Sequence, residues 1–118
     1  MRITARAPTR IDLAGGTLDI WPLYLFHEGA VTLNCAITRY ASCWVETSPR
    51  QVKRIALVSR DTRRREEFSS LDALGSFIAH GRRYRLPLLA HLVRFFKPCV
   101  GLRLTTDSEA PAGAGIGG

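Results

Sequence analysis

The most suggestive chemistry lies at the end of the sequence, where Pro111 is followed by Ala112-Gly113-Ala114-Gly115-Ile116-Gly117-Gly118. Glycines at that density let backbone N–H groups come close to phosphate oxygens. A helix beginning just after them would add its unpaired N–H groups and its dipole. Gly113, Gly115 and Gly118 satisfy G-x-G-x-x-G. A dinucleotide fold wants that motif early in a βαβ unit, with an acidic residue ~20 positions later, and no such positions follow. The other familiar phosphate loop needs G-K-[ST], and no lysine follows Gly117. A flexible tail is the alternative that this segment alone leaves open. A domain seldom stops with its last residues poised to open a helix, so the composition suggests a fragment of a longer chain.

Charge points in the same direction as the glycines. Lys and Arg number 17 against 10 acidic residues, a formal charge of +7, which favours anionic partners: nucleic acid, phosphorylated metabolites or nucleotides. Arginines concentrate at Arg60, Arg63, Arg64 and Arg65, ahead of Glu66 and Glu67. That stretch reads as a solvated loop. Without interleaved aromatic residues it lacks the stacking groups of a nucleic-acid site. His27, His80 and His91 have no metal-ligand spacing. Cys35, Cys43 and Cys99 are an odd count with no CxxC pair, which argues against a disulfide framework and a zinc site and reads as small buried residues.

The elements that must position these groups follow from periodicity. Of the 118 residues, 46% are apolar and 23% charged, the balance of one globular domain with a modest core. No apolar run approaches the ~20 residues of a membrane span, and the N-terminus lacks the apolar core of a signal peptide, so the expected compartment is the cytoplasm. Residues 3–13 read as one or two short strands interrupted at Pro8, and residues 12–19 as a turn around Gly15 and Gly16. Residues 31–37 alternate as a strand, residues 40–47 form a second paired with it through Thr38-Arg39, and residues 52–59 form a third. After Arg65 the period changes. Ser69-Ser70 can cap a helix carrying Leu71, Leu74 and Ile78 and ended by Gly81. Pro87 opens a second helix with Leu89, Leu92, Val93 and Phe96 on one face, stopped by Pro98. Val100, Leu102 and Leu104 then alternate as another strand. Strands, two helices and a strand make an α+β order, with both helices expected on one face of the sheet.

Two segments together resemble the GHMP kinases, the superfamily of galactokinase, homoserine kinase, mevalonate kinase and phosphomevalonate kinase. Ala7-Pro8-Thr9-Arg10-Ile11-Asp12-Leu13-Ala14-Gly15-Gly16-Thr17-Leu18-Asp19 resembles the N-terminal motif, in which an Arg-bearing strand runs into a small-residue turn and then an Asp. The segment from Pro111 to Gly118 resembles the opening of the ATP-binding motif Pro-x-x-x-Gly-Leu-Gly-Ser-Ser. Between them, residues 29–40 are similar to the strand pair of the sugar-kinase branch, which includes heptose-phosphate kinases and fucokinase-like enzymes. The resemblance covers the whole chain, in order. Gly118 stands where the family has its first Ser or Thr, and the Glu-His pair of galactokinases is missing after Gly15.

The resemblance implies a ribosomal-protein-like α+β fold over residues 1–118, the N-terminal part of the ATP-binding domain, with the C-terminal domain outside this chain. It implies ATP-dependent phosphorylation of a hydroxyl on a sugar or sugar phosphate, with ATP and Mg²⁺ as cofactors and no metal ligand within these residues. Pro111, Gly113, Gly115, Gly117 and Gly118 would hold the ATP phosphates. Asp19 would accept hydrogen bonds from sugar hydroxyls, and Arg10 would lie near the transferred or substrate phosphate. The catalytic base is expected beyond Gly118, so the 118 residues alone are expected to be inactive. Three bland assignments stand beside these. Arg10 would be a surface strand residue, Asp19 would cap a short helix through residues 21–26, and Asp12 would be a structural turn acceptor. Trp21, Tyr24 and Phe26 read as packing. The expected partners are ATP and a sugar, with a homo-oligomer left open and neither membrane nor nucleic acid. The alternatives are a mevalonate- or homoserine-type kinase, and a non-catalytic basic domain binding RNA through residues 60–65.

Overall fold

The computed structural model describes residues 1–18, 20–49, 52–81 and 83–110. Five strands, β1 (Arg2–Ala14), β2 (Leu33–Thr47), β3 (Ile55–Ser59), β4 (Arg64–Phe68) and β5 (Leu102–Ser108), form one mixed sheet in the order β1-β2-β5-β3-β4. Two helices, α1 (Leu71–Ala79) and α2 (Pro87–Phe96), lie between β4 and β5 in the chain. The class is α+β, as the order of periodicities requires. Contacts gather into two compact units. The first contains Met1–Arg6 and Ser42–Asp107, and the second Ala7–Ala41 with the stretch that begins at Ser108.

The first unit holds the main core. β3 pairs antiparallel with β4, Ile55 opposite Phe68 and Ser59 opposite Arg64, and parallel with β5, Ile55 beside Leu102 and Leu57 beside Leu104. Alternate residues of a strand share a face. Ile55, Leu57, Phe68, Leu102 and Leu104 are therefore gathered together, and Leu74 of α1 and Leu89, Ala90 and Val93 of α2 close over them. Ser70 opens α1 by accepting the N–H of Ala73 at 3.1 Å, which satisfies one of the donors a helix start leaves unpaired. α2 begins with Pro87 and has no cap from its own neighbours. The Glu66 carboxylate of β4 accepts the N–H groups of Arg85 and Leu86 instead, at 3.0 and 3.2 Å. α2 ends at Lys97, in the left-handed region with φ 46°, one residue before Pro98.

Five expectations change. Pro8 does not interrupt the first strand, because β1 is an edge strand and a missing N–H costs nothing on the unpaired side. Residues 31–37 and 40–47 do not pair with each other: β2 runs unbroken through Thr38 and Arg39, neither of which supplies the positive φ that a tight hairpin turn needs. The arginine-rich stretch is not all loop, since Arg64–Phe68 is a strand whose alternation is carried by charged side chains. Cys35 and Cys99 are exposed and Cys43 is half-buried, and all three are free thiols. Trp21, Tyr24 and Phe26 are exposed, because the chain there makes only a 3-10 turn over Leu23–Leu25, too short to bury a face. The cis Trp21–Pro22 peptide precedes that turn.

Candidate acceptor site at the end of β1

The second unit carries the N-terminal motif. Thr9 is buried and donates its hydroxyl to the Arg39 carbonyl at 3.1 Å, which ties β1 to β2. Arg10 and Asp12, two apart in an extended strand, share the opposite face. Arg10 Nε lies 3.2 Å from Asp12 Oδ1. That oxygen is sealed from solvent and makes no hydrogen bond, so the pair is an ion contact without an aligned donor.

Beyond Ala14 the chain turns sharply. Gly15 has φ +73°. A Cβ there would sit 2.4 Å from the Val31 carbonyl oxygen, so only glycine fits on both counts. The Gly15 carbonyl accepts the Leu18 N–H at 2.9 Å and the Thr32 hydroxyl at 3.0 Å, fixing the turn against the start of β2. A Cβ on Gly16 would meet the Asp12 side chain, with both Cβ and Oδ2 at 2.7 Å. The two glycines thus bring the turn directly against the Asp12 carboxylate.

The chain reaches its glycine-rich segment from an anchored position. Beyond β5, Glu109 donates its N–H to the Tyr40 carbonyl at 3.0 Å and accepts the Tyr40 N–H on its carboxylate at 3.1 Å. Ser108 Oγ accepts the Ala110 N–H at 3.2 Å. The phosphate-loop assignments to Pro111, Gly113, Gly115, Gly117 and Gly118, and the hydroxyl acceptor Asp19, lie outside the described residues. Among the expected site residues the structure therefore places Arg10. Asp12, a turn acceptor on the sequence alone, lies against Arg10. The i, i+2 spacing on a strand is the signal that could have paired them.

The arginine run divides rather than clusters. Arg64 donates to the Arg85 carbonyl at 3.3 Å, whereas Arg65 pairs with Glu67. Arg60 stacks over the Trp44 ring at 4.8 Å from its centroid. The Glu67 carboxyl is held below its ordinary range, first by the hydrogen bond from Arg65 and then by the positive charges of Arg65, Arg54 and Arg103. His80 contacts the Ser76 carbonyl and His91 the Tyr84 hydroxyl. Among the described residues no group of three or more His, Cys, Asp or Glu could hold a metal ion. Among them, too, no helix is long and apolar enough to cross a membrane.

No protein-family model matches the sequence, and no curated protein matches it. Solved structures do match in fold. A D-glycero-D-manno-heptose 1-phosphate kinase from Bacteroides thetaiotaomicron superposes with a TM-score of 0.63 at 23% identity, over 98% of this chain and 36% of that one. The mevalonate kinase of Methanococcus jannaschii gives 0.70 at 13% identity, over 98% and 35%. A protein assigned as a sugar kinase from Campylobacter jejuni gives 0.59 at 20% identity, over 98% and 35%. The chain spans about a third of the length of each. Its mixed five-stranded sheet with two helices is a fold it shares with about a third of a heptose 1-phosphate kinase and of a mevalonate kinase.

Proposed function

We propose that the protein carrying these residues is an ATP-dependent small-molecule kinase that phosphorylates a hydroxyl of a sugar or sugar phosphate. The observation that carries this reading is the end of β1. The Arg-bearing strand and the glycine turn of the acceptor motif follow one another there, in a fold shared with a heptose 1-phosphate kinase.

ATP with Mg²⁺ would supply the transferred phosphoryl group, and positioning and charge neutralisation do most of the remaining work in such transfers. In this reading the backbone N–H groups of Gly113, Gly115, Gly117 and Gly118 hold phosphate oxygens, with Pro111 leading into the loop. Asp19 accepts hydrogen bonds from acceptor hydroxyls, and Arg10 meets a phosphoryl oxygen in the acceptor site. A mevalonate-type acceptor is the second reading, favoured by the TM-score of 0.70 with a mevalonate kinase.

The test is phosphoryl transfer from ATP by the intact protein to a panel of hexoses, heptose phosphates and mevalonate. Transfer to a sugar or sugar phosphate, and not to mevalonate, is the expected result; transfer to none overturns the proposal. Asp19→Asn keeps the side chain's shape and removes its charge. It should lower kcat/KM for the sugar about 10-fold or more while the KM for ATP stays within about 2-fold. An unchanged kcat/KM for the sugar would make Asp19 a surface residue. The chain spans about a third of the length of the matched kinases.

A further inference from the structure

The Arg10–Asp12 pair carries an inference that rests on the kinase reading and deepens it. We propose that Asp12 is a positioning residue: its carboxylate draws Arg10 by charge, so that the guanidinium is presented to a phosphoryl oxygen in the acceptor site.

Three observations support it. First, the pair is unlike an ordinary surface ion pair. Arg10 is half exposed, but the Asp12 oxygen that faces it is sealed from solvent and has no hydrogen bond. Withdrawing a carboxylate oxygen from water costs free energy that an apolar or amide side chain at the same place would avoid. Stability alone therefore gives no reason for an Asp at this position.

Second, the carboxylate is walled in. Gly16 passes so close that a Cβ on it would lie 2.7 Å from Asp12 Oδ2, and Gly15 is held in its turn by the Leu18 N–H and the Thr32 hydroxyl. Asp12 is confined on the glycine side and faces Arg10 on the other. Third, Arg10 and Asp12 belong to one strand, and β1 is fixed through the buried Thr9 hydroxyl next to them. A long flexible guanidinium is thus contacted by a short side chain on a rigid element. Such support lowers the orientational cost of meeting a charged group.

The experiment is a double-mutant cycle in the intact protein with ATP and the sugar substrate found above. R10Q should lower kcat/KM for the acceptor about 100-fold, and D12N about 10-fold, with the KM for ATP unchanged in both. The double variant R10Q/D12N should fall within about 2-fold of R10Q alone, because Asp12 acts through Arg10. R10K, which keeps the charge but loses the planar fork that meets a phosphoryl group, should lose nearly as much as R10Q.

The outcomes separate the two ideas. If R10Q retains full activity, Arg10 is not in the site and the kinase reading of this strand fails. If R10Q is impaired while D12N matches the parent, or the two losses multiply in the double variant, the kinase reading stands and the positioning role is overturned. Should D12N unfold early, D12S decides: acceptor kcat/KM equal to the parent rules the positioning role out, and a loss of about 10-fold that disappears in the R10Q background upholds it.

Discussion

At Gly15 two independent constraints coincide, a φ of +73° and a backbone oxygen only 2.4 Å from where a side chain would begin. Gly15→Ala must therefore move the start of β2 as well as strain its own backbone. A loss of about 2 kcal/mol or more in urea unfolding is expected. Gly101 is constrained differently. Its φ is ordinary, but a Cβ would fall 2.2 Å from the Val52 carbonyl oxygen and 2.8 Å from that of Arg54. Charge offers a test at Glu67. Its carboxyl is shifted down by Arg65, so the folded protein gains from it above the ordinary carboxylate range and loses that gain as pH falls through the lowered value. Glu67→Gln should remove that gain at neutral pH, a small loss because the group is open to solvent, and leave stability below the carboxylate range unchanged, so that the acid limb flattens slightly. A variant with an unaltered acid limb would show that the Arg65 contact does not persist in solution.

The elements differ in how plainly their sequences declare them. α1 and α2 are legible because their signals are local: Ser70 as cap, Gly81 after the end, Pro87 at the first turn and Pro98 beyond the last. Ser70→Ala should cost about 1 kcal/mol in chemical unfolding. Lys97→Gly should instead stabilise by about 1 kcal/mol, since glycine occupies the left-handed cap without the side-chain penalty. β2 and β4 were harder to read, for opposite reasons. In β2 the aromatic and β-branched residues on either side of Thr38-Arg39 looked like two strands, and only the lack of turn chemistry marked them as one. In β4 the stretch Arg64-Arg65-Glu66-Glu67-Phe68 has a single apolar residue, Phe68, to display a strand's period. Glu66 is the least legible contributor, because its role as cap of α2 joins residues about 20 positions apart. Glu66→Ala should cost about 1 kcal/mol and weaken amide protection at Arg85 and Leu86, just ahead of α2.

Over the molecule as a whole, apolar burial is concentrated in the unit formed by Met1–Arg6 and Ser42–Asp107. Leu57 and Leu74 are fully enclosed there, and truncating either to alanine should cost 2–5 kcal/mol, about the range for large cavities in a core. Within the same unit large apolar side chains remain open along α2, where Leu88, Leu92, Phe95 and Phe96 are all exposed. Composition foretold the modest core. The fold order followed from the change of period near residue 70, while the partner of Arg10 required coordinates.

The unequal cysteines give the protein a built-in chemical clock. Cys35 and Cys99 are open to a maleimide, whereas Cys43 packs against the core and burial raises its thiol pKa, leaving less of the reactive thiolate. Mass spectrometry should show two adducts arriving together and a third much later. The delay of that third adduct would then time how often the sheet beside Cys43 opens.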